Sequence, residues 1–136
     1  MNATARNPAD RTAFNGAMDA IRADHATLRH LAATASSAGF PADDILSLAD
    51  AMAAHERAEI DLLALPFIAR APETVVSTAA RANKRCLEYV TGNSDLPESS
   101  AAAALFVEAL LAHLTAEEAW LDHERELKNE RMWTAI

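Results

Sequence analysis

The sequence predicts an all-α protein, an up-down-up-down antiparallel four-helix bundle in a single domain spanning residues 1–136. Three observations lead there. Apolar residues make up 51% of the chain but aromatics only 5%, Ala is abundant and Gly and Pro are few, a composition that favours helix over sheet. Apolar positions recur in steps of three and four along four successive segments. The connections between those segments are short and carry turn-forming Gly and Pro, which favours antiparallel neighbours.

The first helix is expected over roughly residues 11–38, after a polar, Pro-containing leader, with Asp10 or Thr12 as its cap. Its inward line is Phe14, Met18, Ile21, His25, Leu28, Ala32 and Ala35. Ser36 to Pro41 should end it, with Gly39 in the left-handed C-terminal position and Pro41 in the first turn of the next helix. The second helix, roughly 42–70, has the inward line Ile45, Leu48, Met52, His55, Glu59, Leu62 and Pro66, and Pro66 should kink or end it. After Ala71–Thr74, a third helix over 73–91 is read from Val76, Ala80, Asn83, Leu87 and Val90. The stretch from Thr91 to Pro97 is the clearest loop. The fourth helix, 98–129, runs along Phe106, Leu110, His113, Glu117, Trp120, Glu124 and Leu127, and Trp133 in the tail beyond it is left undecided.

Each of the second and fourth helices therefore carries a His and a Glu four residues apart on its inward face: His55 with Glu59, and His113 with Glu117. Heights in the bundle follow from counting at about 1.5 Å per residue. His25 lies 15 residues before Phe40 and His55 lies 15 after it, while His113 lies 15 beyond Glu98, so one layer should contain all five groups. Burying three imidazoles and two carboxylates without partners would cost several kcal/mol each. A cation satisfies them together, imidazole supplying affinity and carboxylate neutralising charge. On the third helix, Val76, Ala79, Ala80 and Asn83 should face this layer, and only Asn83 offers a polar side chain.

Other residues have plainer readings. A single buried His is commonly satisfied by a backbone carbonyl, and a lone His/Glu pair is common on helix surfaces, so the metal reading rests on the five together. His30 and His123 fall about 140° and 80° off their seams and should be peripheral. Glu118 rivals Glu117 but fits the seam less well, and Asp24 and Glu56 belong to solvated faces. Cys86, the only cysteine, is read as a small core hydrophobe and excludes an internal disulfide. A net charge of −8 excludes a phosphate-neutralising nucleic-acid face. No signal-like apolar run opens the chain and no run approaches the ~18 apolar residues of a membrane span. The expectation is a soluble, cytoplasmic protein.

The residues resemble the hemerythrin-like, or HHE cation-binding, family. Ala23-Asp24-His25-Ala26-Thr27-Leu28-Arg29 is similar to its first-helix motif, HERAEIDLLALP from His55 to Pro66 to its second-helix motif, and HLTAEEAWL from His113 to Leu121 to its fourth-helix motif. The resemblance implies a non-haem di-iron site, with His25 and His55 on one metal, Glu59 and Glu117 bridging, His113 on the other metal, and an exchangeable position for dioxygen, nitric oxide or solvent. The family's third-helix histidine has no counterpart between Val75 and Val90, which leaves open a mononuclear site, a second metal completed by water, or a site that has lost metal. The expected cofactor is iron, one or two ions, with zinc or another divalent metal as a substitute. The expected partners are metal ions and a small diatomic ligand. The functions implied are iron, oxygen or nitric-oxide binding or sensing. A di-iron oxidoreductase acting on peroxide or nitric oxide, and a metal-free helical interaction module, are the alternatives.

Overall fold

A computed structural model of the chain describes residues 8–63, 70–92 and 99–128, without the side chains of 8 and 61–63. It contains four α-helices in the order α1 (Pro8–Ser37), α2 (Ala42–Leu63), α3 (Glu73–Thr91) and α4 (Ser99–Lys128), with no strand among the described residues. α1 packs on α2 and α4, and α3 packs most extensively on α4.

α1 buries the seven residues the periodicity selects: Phe14, Met18, Ile21, His25, Leu28, Ala32 and Ala35. Asp10 and Thr12, expected to cap the helix, lie inside it, where Asp10 offsets the positive end of the first turn. The helix ends in a Schellman turn. Phe40 N–H donates to Ala35 O at 2.8 Å and Gly39 N–H to Ser36 O at 3.3 Å, with Gly39 left-handed at φ 80° as expected. Phe40 also takes a positive φ of 60°, and its ring packs on the core, an apolar contact typical of this turn. Pro41 sits one position earlier than expected, since its carbonyl accepts the first α2 bond from Ile45 N–H.

On α2, Ile45, Leu48, Met52 and His55 are buried as the spacing requires. The helix is described to Leu63, and Arg70, the expected last residue, is not helical. The side chain of Leu62 and the whole of Pro66 lie outside what is described, as do Asn93–Pro97, Glu98 and Trp133.

The inward face of α3 differs from the expectation by one residue, about 100° of rotation. Val75 and Ala82 are buried and Thr78, Ala79, Cys86 and Tyr89 are half-buried, whereas Val76, Leu87 and Val90 are 51%, 63% and 55% exposed and Asn83 is exposed too. Two parallel series, both in steps of three and four, run along this helix. The series carrying Val76, Leu87 and Val90 reads as the core, but the helix turns Val75, Ala79, Ala82 and Cys86, with Tyr89 at its end, towards α4, which itself buries Ala102, Ala103 and Ala109. Small residues on both sides allow close approach of the two axes.

α4 buries Phe106, Leu110, His113, Glu117 and Glu124, while near its end Leu121 is buried in preference to the half-buried Trp120. By length and composition alone α4 is long and apolar enough to cross a membrane, contrary to the expectation that no segment approaches that limit. Its stretch from 101 to 114, Ala, Leu, Phe and Val apart from Glu108 and His113, raises the average, and Phe106, Val107, Leu110 and Leu114 of that stretch are core. The main apolar cluster, from Leu28 through Ile45, Leu48 and Phe106 to Leu114, lies on one side of the His/Glu residues along the helices. Ile21, Met18 and Leu121 lie on the other side.

Candidate metal centre

Between these two apolar zones the structure brings together all five residues singled out from the sequence. His25 and His55 are 2% exposed, His113 5% and Glu117 0%; the Glu59 side chain is 15% exposed. The three imidazoles turn their Nε2 atoms towards the two carboxylates. Glu117 Oε1 is 2.7 Å from His25 Nε2 and 3.1 Å from His55 Nε2, and the other oxygen of Glu117 is 3.3 Å from His113 Nε2. Glu59 Oε1 is 2.5 Å from His55 Nε2 and 4.0 Å from His113 Nε2. His25 and His55 meet edge to face, their Nε2 atoms 3.1 Å apart.

Donor atoms around one transition-metal ion at about 2.1 Å stand roughly 3.0–3.4 Å from their neighbours. One donor from each of His25, His55, Glu59 and Glu117 lies within 4.8 Å of the others, a set that fits around one such cation. His113 stands beside this set, on the side of Glu117 Oε2. Glu59 Oε1 and Glu117 Oε2 are buried and have no hydrogen-bond partner among the described residues. His55 Nε2, 2.5 Å from Glu59 Oε1, serves that oxygen only when it carries a proton. Two orphaned carboxylate oxygens in a core cost free energy that a cation would recover.

The outer nitrogens of the three rings are held as well. His25 Nδ1 is 2.7 Å from Glu118 Oε2, and Arg29 anchors that carboxylate through Nη2 at 2.8 Å and Nε at 3.3 Å. His55 Nδ1 lies 3.4 Å from Asp24 Oδ2, a long contact to a side chain that is 44% exposed. His113 Nδ1 is 3.1 Å from Thr78 Oγ1, whose hydroxyl donates to Thr74 O at 2.7 Å. A carboxylate only accepts, and a hydroxyl already donating elsewhere accepts in turn, so in the neutral rings each Nδ1 carries the proton. That tautomer leaves each Nε2 lone pair facing the carboxylates, the form a metal requires.

Without a metal, protons occupy the same space. Burial opposes charge on His55, but the carboxylates of Glu117 and Glu59 override it and raise its pKa to about 10. His113 is also raised, burial again being outweighed by Glu117. Burial pushes Glu117 up, yet its three imidazole partners hold it far below the usual carboxylate range. Glu59 goes the other way, raised to about 7 by burial and by Glu117 against the pull of His55.

Three contributors were not identified from the sequence. Glu118, weighed there only as a rival to Glu117, and Asp24, assigned to a solvated face, both reach an imidazole from half-exposed positions. Thr78, rather than Asn83, is the polar group α3 offers, a direct result of the register difference. His30 and His123 are exposed, as expected. Glu56 is half-buried, and Cys86, also half-buried, packs against the core; burial and then the charges of Glu56 and Asp50 raise its thiol pKa. An open groove of about 320 Å³ between α1 and α4, lined by Ile21, Arg29, Glu118 and Leu121, reaches the outer edge of His25. No family model, curated protein or solved structure matches this chain.

Proposed function

We propose that the chain is a hemerythrin-like non-haem metal-binding protein, an up-down-up-down antiparallel bundle whose polar layer holds iron and serves oxygen, nitric-oxide or iron binding or sensing. The observation that carries this reading is the convergence of three Nε2 atoms on two buried carboxylates that keep orphaned oxygens. His25, His55, His113, Glu59 and Glu117 would hold the metal. Bound iron supplies a Lewis-acidic, redox-capable centre with room for an exchangeable ligand. The protein's part is to hold the rings in one tautomer, to neutralise the charge, and to exclude bulk water with the apolar residues on either side.

Elemental analysis after anaerobic Fe(II) reconstitution and desalting tests this reading. It should give one or two ions per chain for the wild type and loss of metal for Glu59→Ala. Absence of stoichiometric metal in the wild type would sink the proposal.

One observation favours the second reading, a helical interaction module. Val76, Leu87 and Val90 form an exposed apolar stripe on α3. That reading requires the double variant His55→Leu, His113→Leu to keep or gain thermal stability, with the wild type insensitive to added metal. A metal-dependent rise in the wild-type melting temperature removes it.

A further inference from the structure

The three imidazoles are not held alike, and the difference follows the donor count. His25 and His55 have carboxylates on their outer nitrogens, Glu118 and Asp24, and Glu118 is itself pinned by Arg29. A carboxylate on the far N–H raises the electron density of the ring and so strengthens its Nε2 as a ligand. His113 Nδ1 meets, among the described residues, the neutral hydroxyl of Thr78, which already donates to a backbone carbonyl. His25 and His55 share their space with Glu59 and Glu117 as a set of four donors. On the other side, among the described residues, His113 has only the remaining reach of the same two carboxylates, at 3.3 and 4.0 Å. The buried and half-buried α3 residues nearest this level, Val75, Thr78, Ala79 and Ala82, add no further ligating group.

From this asymmetry, and resting on the metal-binding reading above, we propose that the site has two unequal halves. One tightly held ion belongs to His25, His55, Glu59 and Glu117, with Glu118 and Asp24 as positioning residues. The His113 half is a weak, exchangeable position. Glu118 and Asp24 touch no metal in this account and act by fixing the tautomer and basicity of the two rings. Thr78 does the same, less strongly, for His113.

Titration of Co(II) into metal-free protein, followed by its visible absorption and by competition with a chelator, tests the proposal. The first equivalent should bind at least about 10-fold more tightly than any second. Glu118→Gln and Asp24→Asn should each weaken that first equivalent by about 10-fold or more, the usual effect of removing such a partner. The readout specific to a positioning role is the loss of Co(II) affinity with the tetrahedral or octahedral character of the bound-ion absorption kept, since neither carboxylate is itself a ligand. His113→Gln should abolish the second equivalent, and Thr78→Val should weaken it. Two ions of equal affinity, loss of the first ion in His113→Gln, or wild-type affinity in both carboxamide variants would overturn the inequality while leaving metal binding intact. No Co(II) binding by the wild type would overturn the metal reading along with it.

Discussion

His55 meets both carboxylates and both neighbouring sources of charge, so its protonation sets how the centre loads. With its pKa raised to about 10 and that of Glu59 to about 7, the metal-free site carries protons at neutral pH that a metal must displace. Raising the pH removes those competing protons, so metal affinity should increase from pH ~6 to ~9; chelator competition across that range would show it. A flat profile would mean that the imidazoles are already neutral in the metal-free protein. Glu117 contacts all three rings, and Glu117→Gln removes that shared buried carboxylate, leaving Glu59 as the remaining counter-charge beside His55. Chemical denaturation of the metal-free variant should show a loss of about 3–5 kcal/mol. The five inward residues were legible in the sequence because a polar group on an apolar seam is conspicuous. Glu118, Asp24 and Thr78 were not, because each sits beside its seam, where a polar residue is ordinary and only three-dimensional proximity marks it.

Element by element, the helices follow the periodicity closely, and α3 is the informative exception. Its two series of apolar residues differ by one position, and pattern alone favours the bulkier one. Packing chose the smaller series because α3 lies close against an Ala-rich face of α4. This register has opposite consequences for neighbouring substitutions. Leu87→Gln, at an exposed position, should change stability by no more than about 0.5 kcal/mol. Ala82→Asp puts a charge without a partner into the core and should cost several kcal/mol or prevent folding. Urea melts of the two variants decide between the registers, since the alternative face predicts the reverse order. The α1–α2 turn was legible in more detail, because Gly39 before Phe40 and Pro41 is a combination whose φ requirements leave few choices.

For the whole molecule, the cost of the polar layer and its purpose are two aspects of the same arrangement. Metal-free, the layer holds several groups at displaced pKa values, and its buried carboxylate oxygens depend on imidazole protons for partners among the described residues. A ligand that binds only the folded state at 100 times its dissociation constant adds about 2.7 kcal/mol of stability. Scanning calorimetry should accordingly show a melting temperature that rises with added Fe(II) or Zn(II) and falls back with chelator. The four-helix class and the layer itself could be read from the sequence, since both depend on spacing along single helices. The empty third helix already pointed to a sparsely liganded His113 side, but the outer contacts of the rings, Glu118, Asp24 and Thr78, could not be read, since they depend on which side chains from different helices meet.

The most direct test of the central claim is an anomalous-scattering map of crystals grown from anaerobically Fe(II)-reconstituted protein. A strong peak bounded by His25 Nε2, His55 Nε2, Glu59 and Glu117 is the expected result, with weaker or absent density on the His113 side. Fully loaded wild-type protein with no peak in this layer, or with its metal elsewhere, would contradict the account.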